Sequence, residues 1–102
     1  MEKQGMIIND NEFLRQFETT IEGELTTIEY SRQEKKIFLT RIVMSPELHE
    51  KRYADKLIEA VLEKIKHDND RIRVMPTNPQ IAGFIRKHKK KYKDLLPVGI
   101  NI

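Results

Sequence analysis

No cysteine occurs among the 102 residues, which excludes disulfides, thiolate metal sites and a cysteine nucleophile. No apolar run approaches the roughly 18 residues that a membrane helix needs, so no membrane span is expected. Residues 1–9 lack the basic segment, apolar segment and small-residue cleavage site of a secretory signal. A cytoplasmic location is the expectation. Linkers, repeats and low-complexity segments are also missing. The three histidines, His49, His67 and His88, do not stand at a metal-binding spacing, and no metal is expected. One further absence is local: the stretch SPELHEKRYADKL, at 45–57, has the look of a strand-to-helix junction yet contains no glycine.

What remains is a single domain spanning 1–102, able to bury roughly 60 to 70 per cent of its unfolded surface. The net charge of +3 conceals a gradient. Lys and Arg against Asp and Glu number two to seven in residues 1–30, nine to eight in 31–70 and eight to one in 71–102, giving −5, +1 and +7. A basic end of this size attracts something anionic, whether nucleic acid, an anionic membrane or a phosphorylated cofactor.

The alternation of Phe13, Arg15 and Phe17 with Leu14, Gln16 and Glu18 predicts a strand over 12–18, and Ile21 to Tyr30 continues as a second. SRQEKK at 31–36 reads as a turn and 35–44 as a longer, more buried strand. From Tyr53, the apolar positions Ala54, Leu57, Ile58, Val61, Leu62 and Ile65 recur at helical spacing, opposite a charged face. HDND at 67–70 ends that helix. Residues 71–75 form a short strand stopped by Pro76, after which Asn78 as N-cap and Pro79 at the first helical position open a short, basic C-terminal helix. The fold class is α/β (α+β) with a mixed sheet in the order βββαβα. Its two parallel strands end at Val43 to Pro46 and at Met75 to Asn78, where α/β sheets hold ligands. Free N–H groups and the helix dipole at the first of these ends suit a pyrophosphate.

At these residues the chain resembles the small, single-domain GNAT-type N-acetyltransferase-like proteins of the acetyl-CoA-dependent acyltransferase superfamily. Their third strand runs into Val-Pro-Pro-Glu-Leu-Arg-Gly-x-Gly-x-Ala, and residues 44–54 match it at Pro46, Glu47, Leu48, Lys51 and Ala54. The family's second signature is met by Val74, Pro76, Pro79, Ile81, Phe84, Ile85, His88, Tyr92, Asp94 and Leu95, with one extra lysine between His88 and Tyr92. The likeness covers about residues 17–96. Glu50 and Arg52 stand where the family has glycines, and Asn78 where it has cysteine. The resemblance implies acetyl transfer from acetyl-CoA to an amine of a small molecule or protein, by direct attack rather than through a covalent cysteine.

It also implies the sites. Val43, Met44, His49, Glu50, Lys51, Arg52, Tyr53 and Ala54 would hold CoA. His88 and Tyr92 are the candidates for acid/base work, and Asn78 marks the cysteine position. Each has a plainer alternative: an ordinary connection with Ser45 capping a turn, a capping histidine, a core tyrosine. The run RKHKKKYK at 86–93 is a solvated helix end, a seat for the CoA 3′-phosphate, or a polyanion contact. No recognition motif accompanies the charge, so nucleic acid is not the expected partner. Two other function classes stay open: a degenerate, non-catalytic member kept as a binding or regulatory module, and a polyanion-binding domain. The exposed first strand allows a monomer or a weak homodimer.

Overall fold

A computed structural model describes residues 6–68 and 71–100. Its elements are β1 (Asn9–Asn11), β2 (Gln16–Ile21), β3 (Glu24–Gln33), β4 (Lys36–Val43), α1 (Pro46–Glu50), α2 (Tyr53–Asp68), β5 (Arg73–Pro76), α3 (Pro79–Lys87) and α4 (Lys89–Tyr92), followed by a 3₁₀ turn at Lys93–Leu95. The five strands form one sheet in the order β1-β2-β3-β4-β5. Neighbouring strands are antiparallel through β4, and β4 and β5 are parallel. The mixed sheet is as expected, but four strands rather than three precede the long helix.

The predicted strand at 12–18 is the first correction. Residues 12–15 are a turn, because the Asn11 side-chain oxygen accepts from Leu14 N at 3.0 Å and Arg15 takes a left-handed φ of 58°. An Asx-type turn of this kind ends a strand. Phe13 is 93% exposed as a result. The predicted second strand divides in the same manner, since Glu22 and Gly23 have φ of 52° and 80° and close the β2–β3 hairpin as a primed-type turn does. Glu34, at φ 51°, shortens the SRQEKK turn to two residues. The short α1 inside the 45–52 connection is a further addition to the predicted order. Of HDND, residues 69 and 70 lie outside the described residues.

The core follows the predicted stripe. Leu57, Ile58, Val61 and Leu62 of α2 are fully buried, each worth roughly 2 kcal/mol of burial. They meet Phe17, Ile28, Tyr30, Ile37, Leu39 and Val74 from one face of the sheet, together with Ile81 and Ile85 of α3. Both helices therefore lie on that face. No helix among the described residues is long and apolar enough to cross a membrane.

Candidate functional site

Two junctions stand at the carboxyl ends of the parallel pair. At the first, β4 outruns its neighbour, because pairing with β5 ends at Leu39↔Pro76 while β4 continues to Val43. Pro76 has no N–H with which to extend the ladder. Thr77 then closes the end of β5, its Oγ1 donating to Leu39 O at 3.1 Å. Thr40 sits in a register irregularity against β3, between Tyr30↔Leu39 and Glu29↔Arg41. Arg41 to Val43 are thus paired with β3 on one side, Thr40 is held there by its Oγ1 donating to Glu29 O at 3.2 Å, and all four lie beyond the ladder with β5 on the other. That leaves a backbone edge for a ligand's amide groups to pair with.

Beyond Val43 the chain makes a single helical turn before α2. Ser45 caps α1 with its Oγ accepting from Leu48 N at 3.3 Å, and Leu48 is fully buried, so the connection is anchored in the core. Glu50 lies within α1. Arg52 has a φ of 66°, the left-handed conformation that glycine adopts without cost. The backbone shape that a glycine would supply is therefore present at one of the two positions, built from a residue that adopts it only against about 1 kcal/mol of steric opposition. Tyr53, Ala54 and Asp55 follow as the first turn of α2, whose N–H groups have no intrahelical partner.

A residue absent from the expected set completes this junction. Glu22, at the tip of the β2–β3 hairpin, receives a hydrogen bond from Lys51 Nζ at 2.8 Å and another from the Tyr53 hydroxyl at 3.1 Å. These bonds hold the Glu22 carboxyl below its ordinary value. Reciprocally, the carboxylate raises the Lys51 ammonium and the Tyr53 phenol. Nothing local in the sequence signals a contact spanning 29 residues; only the glycine after Glu22 hinted that a turn stood there.

The second junction is simpler. Asn78 caps α3, its side-chain oxygen accepting from Gln80 N at 2.9 Å and Ile81 N at 3.2 Å. His88 caps the opposite end of the same helix, ten positions along and roughly 15 Å of rise away. It is exposed, with its ring 4.4 Å from that of Phe84. Tyr92 is a core residue, 1% exposed, and its hydroxyl donates to Glu63 Oε2 at 2.8 Å. Burial first, and then that carboxylate, push its phenol upward. Of the expected site residues, the fold brings 43–54 to one end of the sheet with Asn78, while His88 stands at the far end of α3 and Tyr92 is buried against Glu63.

A groove of about 1040 Å³ runs between β2 and α2 and is lined by Ile8, Ile21, Tyr53, Glu59, Glu63 and Lys91 among others. Tyr53 is its one member from the expected set. Three of its charges are engaged with one another, Lys91 lying 3.2 Å from Glu59 and 3.3 Å from Glu63. Among the described residues no cluster of three metal-ligating side chains occurs.

Residues 16–95 match the model of a family described as GCN5-related N-acetyl-transferase. The chain belongs to the GCN5-related N-acetyltransferase family. No curated protein matches it. Acetyl transfer is the family's general chemistry, and the GCN5-related match takes in both junctions, the long helix between them and the whole of α3 and α4.

Proposed function

We propose that the protein is an acetyltransferase that takes acetyl from acetyl-CoA and places it on an amine, with the Met44–Ala54 junction as its CoA seat. The observation that carries this reading is the coincidence of an unpaired β4 edge over Thr40–Val43 with a left-handed residue at the mouth of a 16-residue helix. Acetyl-CoA, when bound, supplies an activated thioester. This chain's own contribution is backbone: the β4 edge near Val43 and Met44 pairs with amide groups of the pantetheine arm, and a backbone N–H there polarises the acyl carbonyl. The N–H groups of Tyr53 and Ala54, with the side chains of Lys51 and Arg52, meet phosphate oxygens. His49 and Glu50 flank them on the exposed side of the loop.

No side chain is needed as a nucleophile. Asn78 carries no thiol, and its oxygen is occupied by two backbone N–H groups, so the amine attacks directly. His88 and Tyr92 are the groups proposed for proton transfer, serving an acceptor that reaches past α3.

Titration calorimetry with acetyl-CoA, followed by an assay of free thiol released in the presence of an amine panel, tests both halves. Micromolar binding weakened by Lys51→Ala, with amine-dependent thiol release, is expected. Absence of binding at millimolar acetyl-CoA would remove the reading. A second reading, a binding module that keeps the fold without the chemistry, is favoured by Glu22, which already puts a carboxylate on Lys51. Its mark is binding with no thiol release on any amine.

A further inference from the structure

The basic stretch that closes the sequence folds away from the proposed CoA seat. Seven steps of β4 separate Lys36 from Val43, roughly 23 Å of strand, and α3 returns the chain toward the beginning of that strand. Lys36 and Arg73 are register neighbours where the parallel pair starts. Arg73 also lines a groove of about 610 Å³ with Lys89, Lys93, Asp94, Leu96 and Val98. Helix α4 and the 3₁₀ turn thus bring the cations of residues 89–93 against the edge strand of the sheet.

What distinguishes this pole is unspent charge. Lys91 is bound by Glu59 and Glu63, but among the described residues Lys36, Lys89, Lys90 and Lys93 have no carboxylate within 4.0 Å, and Asp94 is the single acid in the groove. Gathering like charges without partners costs stability, and an anionic ligand offsets that cost. The ligand must be dense in charge. Duplex nucleic acid offers one negative charge per about 1.7 Å of axis, whereas an extended peptide offers at most one side chain per about 3.3 Å. No aromatic ring lines the groove, so stacking on unpaired bases is not its means of recognition.

We propose that this pole is a docking surface for the phosphate backbone of duplex nucleic acid, independent of sequence and separate from the CoA seat. The four lysines without a carboxylate partner, Lys36, Lys89, Lys90 and Lys93, predict a log–log salt slope near −3.6 for about four phosphates. The test is fluorescence anisotropy of the whole protein with a labelled 20-base-pair duplex from 25 to 150 mM salt, with polyglutamate and anionic phosphatidylserine vesicles as competitors. The double variant K89A/K93A should weaken duplex binding at least tenfold at 50 mM salt and flatten the slope by about two. Both positions are exposed, so the fold should survive, and the lone variant Lys36→Ala, on a different element, should flatten the slope by about one. Lys51→Ala should leave duplex binding unchanged. No binding at 25 mM salt, binding indifferent to these variants, or displacement by acetyl-CoA would overturn the proposal. Equal displacement by polyglutamate or by vesicles would overturn it in favour of an acidic protein or a membrane surface.

Discussion

The two junctions at the carboxyl ends of β4 and β5 do similar topological work by different means. Pro76–Pro79 turns a strand into a helix with local chemistry: a proline that stops the ladder, a threonine that closes it, an asparagine cap and a proline at the first helical position. Met44–Tyr53 does so with a one-turn helix, a left-handed arginine and a carboxylate borrowed from a distant hairpin. A junction made from neighbours in sequence is rigid and self-sufficient. One completed from elsewhere can change its contacts when a ligand arrives.

The largest predicted break of that contrast is Leu48→Ala. Leu48 is fully buried and ties α1 to the core, so its truncation should cost about 3 kcal/mol in urea unfolding; a loss under 1 kcal/mol would mean the Met44–Tyr53 junction is not anchored there. Asn78→Ala should cost about 1 kcal/mol, since two N–H groups lose their acceptor. An Asn78→Asp variant, which retains the capping oxygen, should recover it. Arg52→Gly should run the other way, raising stability by about 1 kcal/mol as the left-handed strain is relieved. Destabilisation by this change would show that the Arg52 side chain contributes more than its backbone costs.

The smallest effect is on Glu22. Its carboxyl is lowered from 4.5 by the hydrogen bonds of Lys51 and Tyr53, so its contribution is fully present above pH 4.5 and lost as pH falls through the lower folded value. The stability difference between wild type and Glu22→Gln should therefore be constant near neutrality and vanish in acid. A difference that persisted unchanged to pH 2 would contradict the assignment. With Lys51 released, Glu22→Gln should also bind acetyl-CoA more tightly than wild type.

The same contrast explains how far the sequence could be read. The α2 stripe from Ala54 to Ile65 and the Asn78 cap are written in the spacing of neighbouring residues and each stands as expected, while β4, expected over 35–44, runs from Lys36 to Val43. The turns at Glu12–Arg15 and Glu22–Gly23 were hidden, because the alternation of Phe13, Arg15 and Phe17 and the run of Thr, Ile and Leu around Gly23 continue a strand pattern straight through them. Only three-dimensional folding places Glu22 beside Lys51. Arg52 was hidden for a different reason. Its left-handed backbone is imposed by the anchored α1 before it and α2 after it, whereas local propensity favours glycine or asparagine there. His88 and Tyr92 stand at family-like positions, but nothing in their local sequence signals that the His88 ring lies against Phe84 or that the Tyr92 hydroxyl donates to Glu63.

The most direct measurement is amide chemical-shift mapping of the whole protein on addition of acetyl-CoA. Perturbations confined to Thr40–Ala54, the Glu22 turn and Thr77–Asn78 are the predicted result. Perturbations centred instead on Arg73 and Lys89–Lys93, or none at millimolar ligand, would contradict the assignment of the Met44–Ala54 junction as the CoA seat.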